Sequence, residues 1–259
     1  MSKFKLAIAG SLALSALAAA LSAASLLFAI GVFDASETRV VPRAFENQAR
    51  AYILRNPEVI VEAFRRMEER QQVAEANELR SIVAARRDEI FNDPTAPVAG
   101  NPEGDVTIVE FFDYNCPYCR EAAPLLAEVE ESDDGLRFVY KEFPILGPGS
   151  EFAARAALAS QRQGKYEAFH QAMMAHSGAI TERSTIEIAE AVGLDIERLR
   201  RDMEDSAIAE TIKRNITLAQ ALRISGTPTF IVGDEIVRGL VDLETMERLI
   251  TQAREQVAD

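Results

Sequence analysis

Cys116-Pro117-Tyr118-Cys119 holds the only two cysteines of this 259-residue chain. The pair directly follows an apolar run, Val106-Thr107-Ile108-Val109-Glu110-Phe111-Phe112, and precedes a helix-like stretch over 120–130. It therefore sits where a strand hands over to a helix N-terminus. Pro117 suits the first helical turn, where its missing N–H costs nothing. The free amides and dipole of that turn favour an anion, here the Cys116 thiolate. Such a thiolate is a good leaving group and a ready nucleophile. Two thiols at this spacing can close a small disulfide that passes to another protein, whereas a structural disulfide more often ties distant segments together.

The N-terminus fixes the compartment in which such chemistry is expected. Lys3 and Lys5 precede an uncharged apolar stretch over 6–33, and Asp34 and Glu37 follow it. Positive charge before and acid after direct the rest of the chain out of the cytoplasm. Residues 1–38 read as a signal peptide, cut near Ala18 or Ala20, or as a membrane anchor. The uninterrupted apolar run is long enough to span a bilayer, and cleavage would leave a greasy new N-terminus, so the anchor is preferred. Both place the protein outside the cytoplasm, in the periplasm or secreted, where disulfides persist. A net charge of -13 argues against nucleic acid and anionic lipid as partners.

Residues 39–92 form an N-terminal helical segment. Asn56-Pro57-Glu58 has the form of a helix start, with Asn56 as N-cap. Ile60, Ala63, Phe64 and Met67, then Ala76, Leu79, Val83 and Ile90, recur at helical spacing. One narrow apolar seam on so polar a helix cannot form a core alone, which makes the segment a spacer, a helix folded back on its own domain, or an oligomerisation stalk. A turn-rich linker over 92–104 leads into the main domain, 93–259. Strands are predicted over 106–112 and 136–143, a helical tract from about 147 to 222, a hairpin over 229–238 around Gly233-Asp234, and a last helix over 242–257. Ser184 with Glu187 fits a capping box, and Asp195 and Asp205 fit two further N-caps. The predicted class is α/β, a sheet interrupted by a helical lobe.

Four signatures in this order resemble a thioredoxin-fold disulfide oxidoreductase of the DsbA-like class. They are Phe111-Phe112-Asp113-Tyr114-Asn115-Cys116-Pro117-Tyr118-Cys119, Pro124 within the following helix, the helical insert, and Ser225-Gly226-Thr227-Pro228-Thr229-Phe230, which resembles the family's cis-proline loop. The segment Tyr52-Ile53-Leu54-Arg55-Asn56-Pro57-Glu58-Val59-Ile60 is similar to the N-terminal region of ScsC-type proteins, linked to suppression of copper sensitivity, some of which oligomerise through it. The resemblance implies a thioredoxin fold with an inserted helical domain and no cofactor.

It also implies site residues. Cys116, at the helix start, is the expected attacking thiol, and Cys119, one turn in and shielded, the resolving one. Together they form the redox-active disulfide. Glu110 is a carboxylate in an otherwise apolar strand, where burial raises a pKa. The matching acid in the family lies under the cysteines and moves the proton of the buried thiol, against the plainer reading of a solvent-facing strand end. Asp113 reads as a turn residue. Pro117 and Tyr118 tune the redox poise and, with a cis Thr227-Pro228 peptide, meet the substrate chain. Met173, Met174 and Met203, which could suggest copper, read as core.

The expected function is thus an extracytoplasmic thiol–disulfide oxidoreductase, an oxidase or isomerase, acting on exported cysteine-containing proteins. It would need a membrane redox partner and could form a homo-oligomer through the N-terminal helices. The alternative is a metal-tolerance protein whose dithiol holds copper or zinc, for which His170 and His176 are the further ligand candidates.

Overall fold

The computed structural model describes residues 42–258. The expected signal or anchor segment, 6–33 included, lies outside the described residues. Among the described residues no helix is long and apolar enough to cross a membrane.

Compact packing divides the chain after Glu69. The first unit carries α1 (Arg43–Arg55) and the opening turns of α2 (Glu58–Ala85). Here Asn56 does not cap the start of α2 as its sequence context predicts. It closes α1 instead: its side-chain Nδ2 donates to the Tyr52 carbonyl at 2.8 Å, and its backbone N–H reaches the Tyr52 and Ile53 carbonyls. Phe45, Tyr52, Leu54, Ile60, Val61, Phe64 and Met67 are exposed, so among the described residues the first half of the apolar seam is uncovered.

The second unit is built on a five-stranded sheet in the order β1-β3-β2-β4-β5. The strands are β1 (Val98–Gly100), β2 (Val106–Phe112), β3 (Leu136–Glu142), β4 (Thr229–Val232) and β5 (Glu235–Arg238). Only β2 and β3 are parallel. Parallel neighbours need a crossover, and α4 (Pro117–Ser132) supplies it. Central β2 is buried on both faces, which is why it reads as a continuous apolar run rather than an alternation. Ile108 and Phe112 pack with Leu126 and Val129 of α4 and Met246 and Ile250 of α10 (Leu243–Ala258). Val109 and Phe111 face the opposite side, against Ile90 and Phe91 of α3 (Arg87–Phe91) and Leu218 and Leu222 at the end of α9 (Ser206–Ala221).

The helical lobe comprises α5 (Pro148–Ser160), α6 (Tyr166–Met174), α7 (Glu182–Ala191), α8 (Ile196–Met203) and α9. Asp195 and Asp205 cap α8 and α9 as expected, accepting from the Arg198 and Ala207 amides at 2.9 Å. The capping box of α7 is shifted from the Ser184–Glu187 expectation. Thr181 is the N-cap and Ser184 the reciprocal N3 residue. Met173, Met174 and Met203 are buried in the core. The linker over 92–104 also holds a strand that its turn residues conceal, since β1 pairs with β3 from Val98 to Gly100.

The sheet also claims more of the N-terminal segment than the expected start near residue 93. Leu79 and Val83 of α2 are buried, and Ile90 and Phe91 belong to the second core cluster. Fully buried Lys141 donates to the Glu89 carbonyl and to Asp93 Oδ2, both at 2.9 Å, and Arg137 donates to the Phe91 carbonyl at 2.8 Å. A fragment beginning at Arg70 should therefore melt close to the intact chain. One beginning at Asp93 uncovers a sheet face and leaves Lys141 short of an acceptor. Each large buried side chain removed costs about 2–5 kcal/mol, so that fragment should melt far lower or not fold. Thermal denaturation followed by circular dichroism compares the two, and equal melting temperatures would refute the assignment of 79–91 to the core.

Candidate active site

The site grows from the C-terminal end of β2. Cys116 is the N-cap of α4 and Pro117 opens its first turn. The loop before it is pinned by Asp113, a buried turn residue with more to do than its sequence suggests. One carboxylate oxygen accepts from the Asn115 amide at 2.8 Å, and the other from the Ile145 and Leu146 amides at 2.8 and 2.9 Å. Asn115 then ties the loop to the helical lobe, donating to Ser150 Oγ and the Ile180 carbonyl while accepting from the Ile180 amide at 2.8 Å. At Gly149 a Cβ would fall 2.4 Å from the Ile180 carbonyl oxygen, so only glycine admits this approach. Arg120 completes the clamp, with Nε on the Tyr114 carbonyl at 2.9 Å and Nη1 on the Gly178 carbonyl at 2.5 Å.

Both thiols are free. Cys116 retains 4% exposure and Cys119 none, which is the expected ranking, although Cys116 is more enclosed than a helix-end position suggests. Pro117 and Tyr118 are exposed beside it. Thr227-Pro228 is a cis peptide, and the Cys116 thiol donates to the Thr227 carbonyl at 3.2 Å. Of the four residues expected to meet substrate, Pro117 and Tyr118 follow Cys116 in the chain and Thr227 meets its sulfur directly. Pro124 stands inside α4; lacking an N–H, it leaves the Arg120 carbonyl without its usual i+4 donor.

Glu110 is not a solvent-facing strand end. It shares a face of β2 with Ile108 and Phe112, retains 3% exposure, and its Oε1 has no hydrogen-bond partner. Desolvation raises its carboxyl to about 8. Desolvation, with the charge of Glu110 behind it, also holds the Cys119 thiol above its ordinary value. Each would ionise only with difficulty while the other is charged. A proton passing between them keeps one negative charge in the pocket rather than two.

A second buried group gathers residues to which sequence reasoning gave no such role. Tyr114, two positions before Cys116, donates to Glu142 Oε1 at 3.1 Å, and Tyr166 donates to the same oxygen at 3.0 Å. Tyr114 Oη also shares a 3.1 Å hydrogen bond with His170 Nδ1. Tyr166 stacks on His170 at 5.7 Å between centroids, and Tyr140 packs against the same ring at a tilt, 4.5 Å away. Burial lowers His170 to about 3, so the ring is neutral and can carry its proton on Nδ1 toward Tyr114. Strand, active-site loop and helical lobe meet in this cluster. The visible signal was Lys141-Glu142, two charges at the end of an apolar strand. His170 is engaged here, and among the described residues no group of three or more His, Cys, Asp or Glu is placed to hold a metal.

A family profile described as the DSBA-like thioredoxin domain matches residues 107–251. The chain belongs to this family. The DSBA-like match takes in β2, the cysteine pair, the insert, the cis-proline loop and most of α10. Among solved structures, a thioredoxin-like oxidoreductase from Silicibacter pomeroyi DSS-3 is 53% identical, covering 65% of this chain and 98% of that one with a TM-score of 0.64. Proteus mirabilis ScsC in a compact conformation is 26% identical over 84% of this chain and 100% of that one, TM-score 0.64. The Na(+)/H(+) antiporter NhaA 1 of Salinispora arenicola is 32% identical over 158 residues, 60% of this chain. The chain spans 24% of that curated relative's length, so the transport named for the relative is not carried over.

The burial of Glu110 has a measurable sign. Folded Glu110 keeps its proton up to about 8, whereas an unfolded carboxyl releases it near 4.5. Between those values the native chain binds more protons than the unfolded chain, so this group's contribution to stability falls as pH rises. Glu110→Gln removes that dependence. Its stability relative to the unaltered chain should climb from about pH 4.5 to about pH 8 and then level off, a change on the order of a few kcal/mol. Urea denaturation across a pH series measures it, and a difference that stays flat through this window would show that Glu110 is not held neutral by burial.

Proposed function

We propose that this DsbA-like chain is an extracytoplasmic thiol–disulfide oxidoreductase acting on cysteines of exported proteins. The observation that carries the reading is the pairing of Cys116, at a helix N-terminus and 3.2 Å from the Thr227 carbonyl, with a fully buried Cys119 one turn in. A partner sulfur can approach only Cys116. Cys116 exchanges with the substrate through a mixed disulfide, Cys119 resolves it, and Glu110 takes or returns the Cys119 proton. Pro117, Tyr118, Thr227 and Pro228 form the face on which an extended substrate lies, with backbone groups beside Pro228 free to pair. Cys119→Ala should then accumulate disulfide-linked client adducts on non-reducing gels, and Cys116→Ala should not. Adducts of the Cys116 variant alone would reverse the roles.

The compartment rests on the apolar segment over 6–33 and on likeness to proteins such as a periplasmic thioredoxin-like protein of Salmonella enterica serovar Typhimurium. A membrane redox partner would keep the pair oxidised in an oxidase or reduced in an isomerase. The exposed apolar side chains of the first unit favour the isomerase, because self-association through α1 and α2 would gather several sites and restrict access to them. Phe64 and Met67 are 58% and 55% exposed. The double variant Phe64→Glu with Met67→Glu should reduce the mass of the soluble 39–259 protein to that of one chain in sedimentation equilibrium. A single-chain mass before substitution would remove the stalk.

A further inference from the structure

Cys119 and Glu110 do not only face each other. Both line a cavity of about 380 Å³ between α4 and α6. Its inner wall is buried, with Tyr140 and His170 beside the two reactive groups. Its outer wall carries exposed residues, among them Ala127, Glu131, Gln171 and Ala175, so it reaches solvent. Cys116, Tyr118, Thr227 and Pro228 are absent from its walls. The resolving thiol and its acid therefore have an opening of their own, away from the face assigned to substrate.

Two unpartnered polar atoms belong to this wall. Glu110 Oε1 and Arg120 Nη2 are both buried without a protein hydrogen-bond partner. One can accept and the other can only donate. A cavity holds water when it offers polar partners and exceeds roughly 10–15 Å³ per molecule; this one is many times that size, and Glu110, Arg120 and Glu130 supply polar groups on its wall. We infer that the proton exchanged at Cys119 leaves and enters through water in the α4–α6 cavity, with Glu130 at its outer end as the group that hands the proton between that water and solvent. The inference rests on the oxidoreductase reading and deepens it.

The need for such a route follows from the exchange itself. In the mixed disulfide, Cys116 is bonded to a substrate sulfur and the substrate covers the Thr227-Pro228 side. Glu110, which holds its proton at rest, first releases it to the cavity, and Cys119–SH then gives its proton to the resulting carboxylate. The Cys119 thiolate then forms the Cys116–Cys119 bond, the bond from Cys116 to substrate breaks, and the substrate leaves as a thiolate. The enzyme is oxidised and the substrate reduced by the same two electrons. Run backwards, the departing Cys119 thiolate takes the proton from Glu110. Either way one proton passes between a buried acid and the cavity while the substrate side is occupied.

Glu130 is the group in this cavity best placed to serve it. It is half-buried on α4, three turns beyond Cys119. Burial, then the neighbouring charges of Glu167 and Glu131, hold its carboxyl above the ordinary value, so it keeps a proton more readily than a freely solvated acid. Tyr140 is held protonated by burial and the charges of Glu110, Glu130 and Glu167. His170 is neutral and bonded to Tyr114. Glu131 is exposed, and the Arg120 guanidinium offers only hydrogen-bond donors.

The test is single-turnover reduction of a disulfide-bonded peptide by the reduced soluble protein, quenched with acid and alkylated so that the mixed disulfide is seen to rise and decay. In Glu130→Ala the decay should slow about tenfold, less than the 10²–10⁴ of losing a direct general base, while the rise is unchanged. Added acetate should restore the decay in proportion to its concentration, because the vacated space admits a small carboxylate. Ala127→Leu and, separately, Ala123→Leu, which narrow the cavity, should slow the same phase without rescue by acetate. Unchanged decay in all three variants, or slowing of Glu130→Ala that acetate does not reverse, would overturn the exit route while leaving the oxidoreductase reading in place. Failure of the unaltered protein to form any mixed disulfide would overturn both.

Discussion

The register between β2 and β4 is the constraint on which the site depends. The strands run antiparallel, with Phe111 opposite Thr229 and Glu110 opposite Phe230. The end of β2 that leads to Cys116 therefore meets the beginning of β4, just after Thr227-Pro228. Cys116 and the Thr227 carbonyl come within 3.2 Å although 111 positions separate them. Side chains alternate along a strand, so a slip of one residue would send Glu110 to the α9 face and away from Cys119. Apolar packing on both faces of β2 prevents that slip, because Val109 and Phe111 fill one cluster and Ile108 and Phe112 the other. The strand register beneath the redox pair is thus held by ordinary core packing, while the hydrogen bonds of Asp113, Asn115 and Arg120 fix the loop above it.

Against that background Glu110 stands apart from the buried polar groups around it. Asp113 has backbone donors on both oxygens, Lys141 has Asp93 and a carbonyl, and Glu142 has two tyrosines. An unpaired acid in such a core is costly when ionised and tolerable when neutral. The core keeps it where no stability argument asks for an acid, at the one strand position beneath the resolving thiol. Under the proposed mechanism this is the position where the chemistry would need a proton acceptor, a local rule set aside for function.

Much of this was legible in the sequence because the signals are local. The apolar run of β2 ending before Cys-Pro, the Gly233-Asp234 hairpin and the acidic caps of α8 and α9 each declare themselves within a few residues. What was not legible depends on partners far along the chain. Thr181 rather than Ser184 begins α7 because the two side chains bond reciprocally, which the spacing of Ser184 and Glu187 does not reveal. β1 is hidden among turn residues because three residues suffice for an edge strand that β3 already templates. Lys141 and Glu142 look like a solvated strand end, yet both are buried, one by the chain over 89–93 and the other by the helical lobe.

The N-terminal helices show the same limit from the other side. A single seam runs from Ile60 to Ile90 with one chemistry and one spacing. Leu79, Val83 and Ile90 are buried in the second unit, where Arg80 pairs with Glu235 and Asp234, and Arg223 with Glu78. Ile60, Phe64 and Met67 are exposed in the first. Periodicity states that a face will be covered, never by what. The later half finds its cover within the chain because α3 and the sheet continue from it. The earlier half, with Phe45, Tyr52, Leu54 and Val61 added, leaves large apolar side chains exposed among the described residues. A second copy is the cover proposed above, since it would offer the same seam to a self-complementary interface.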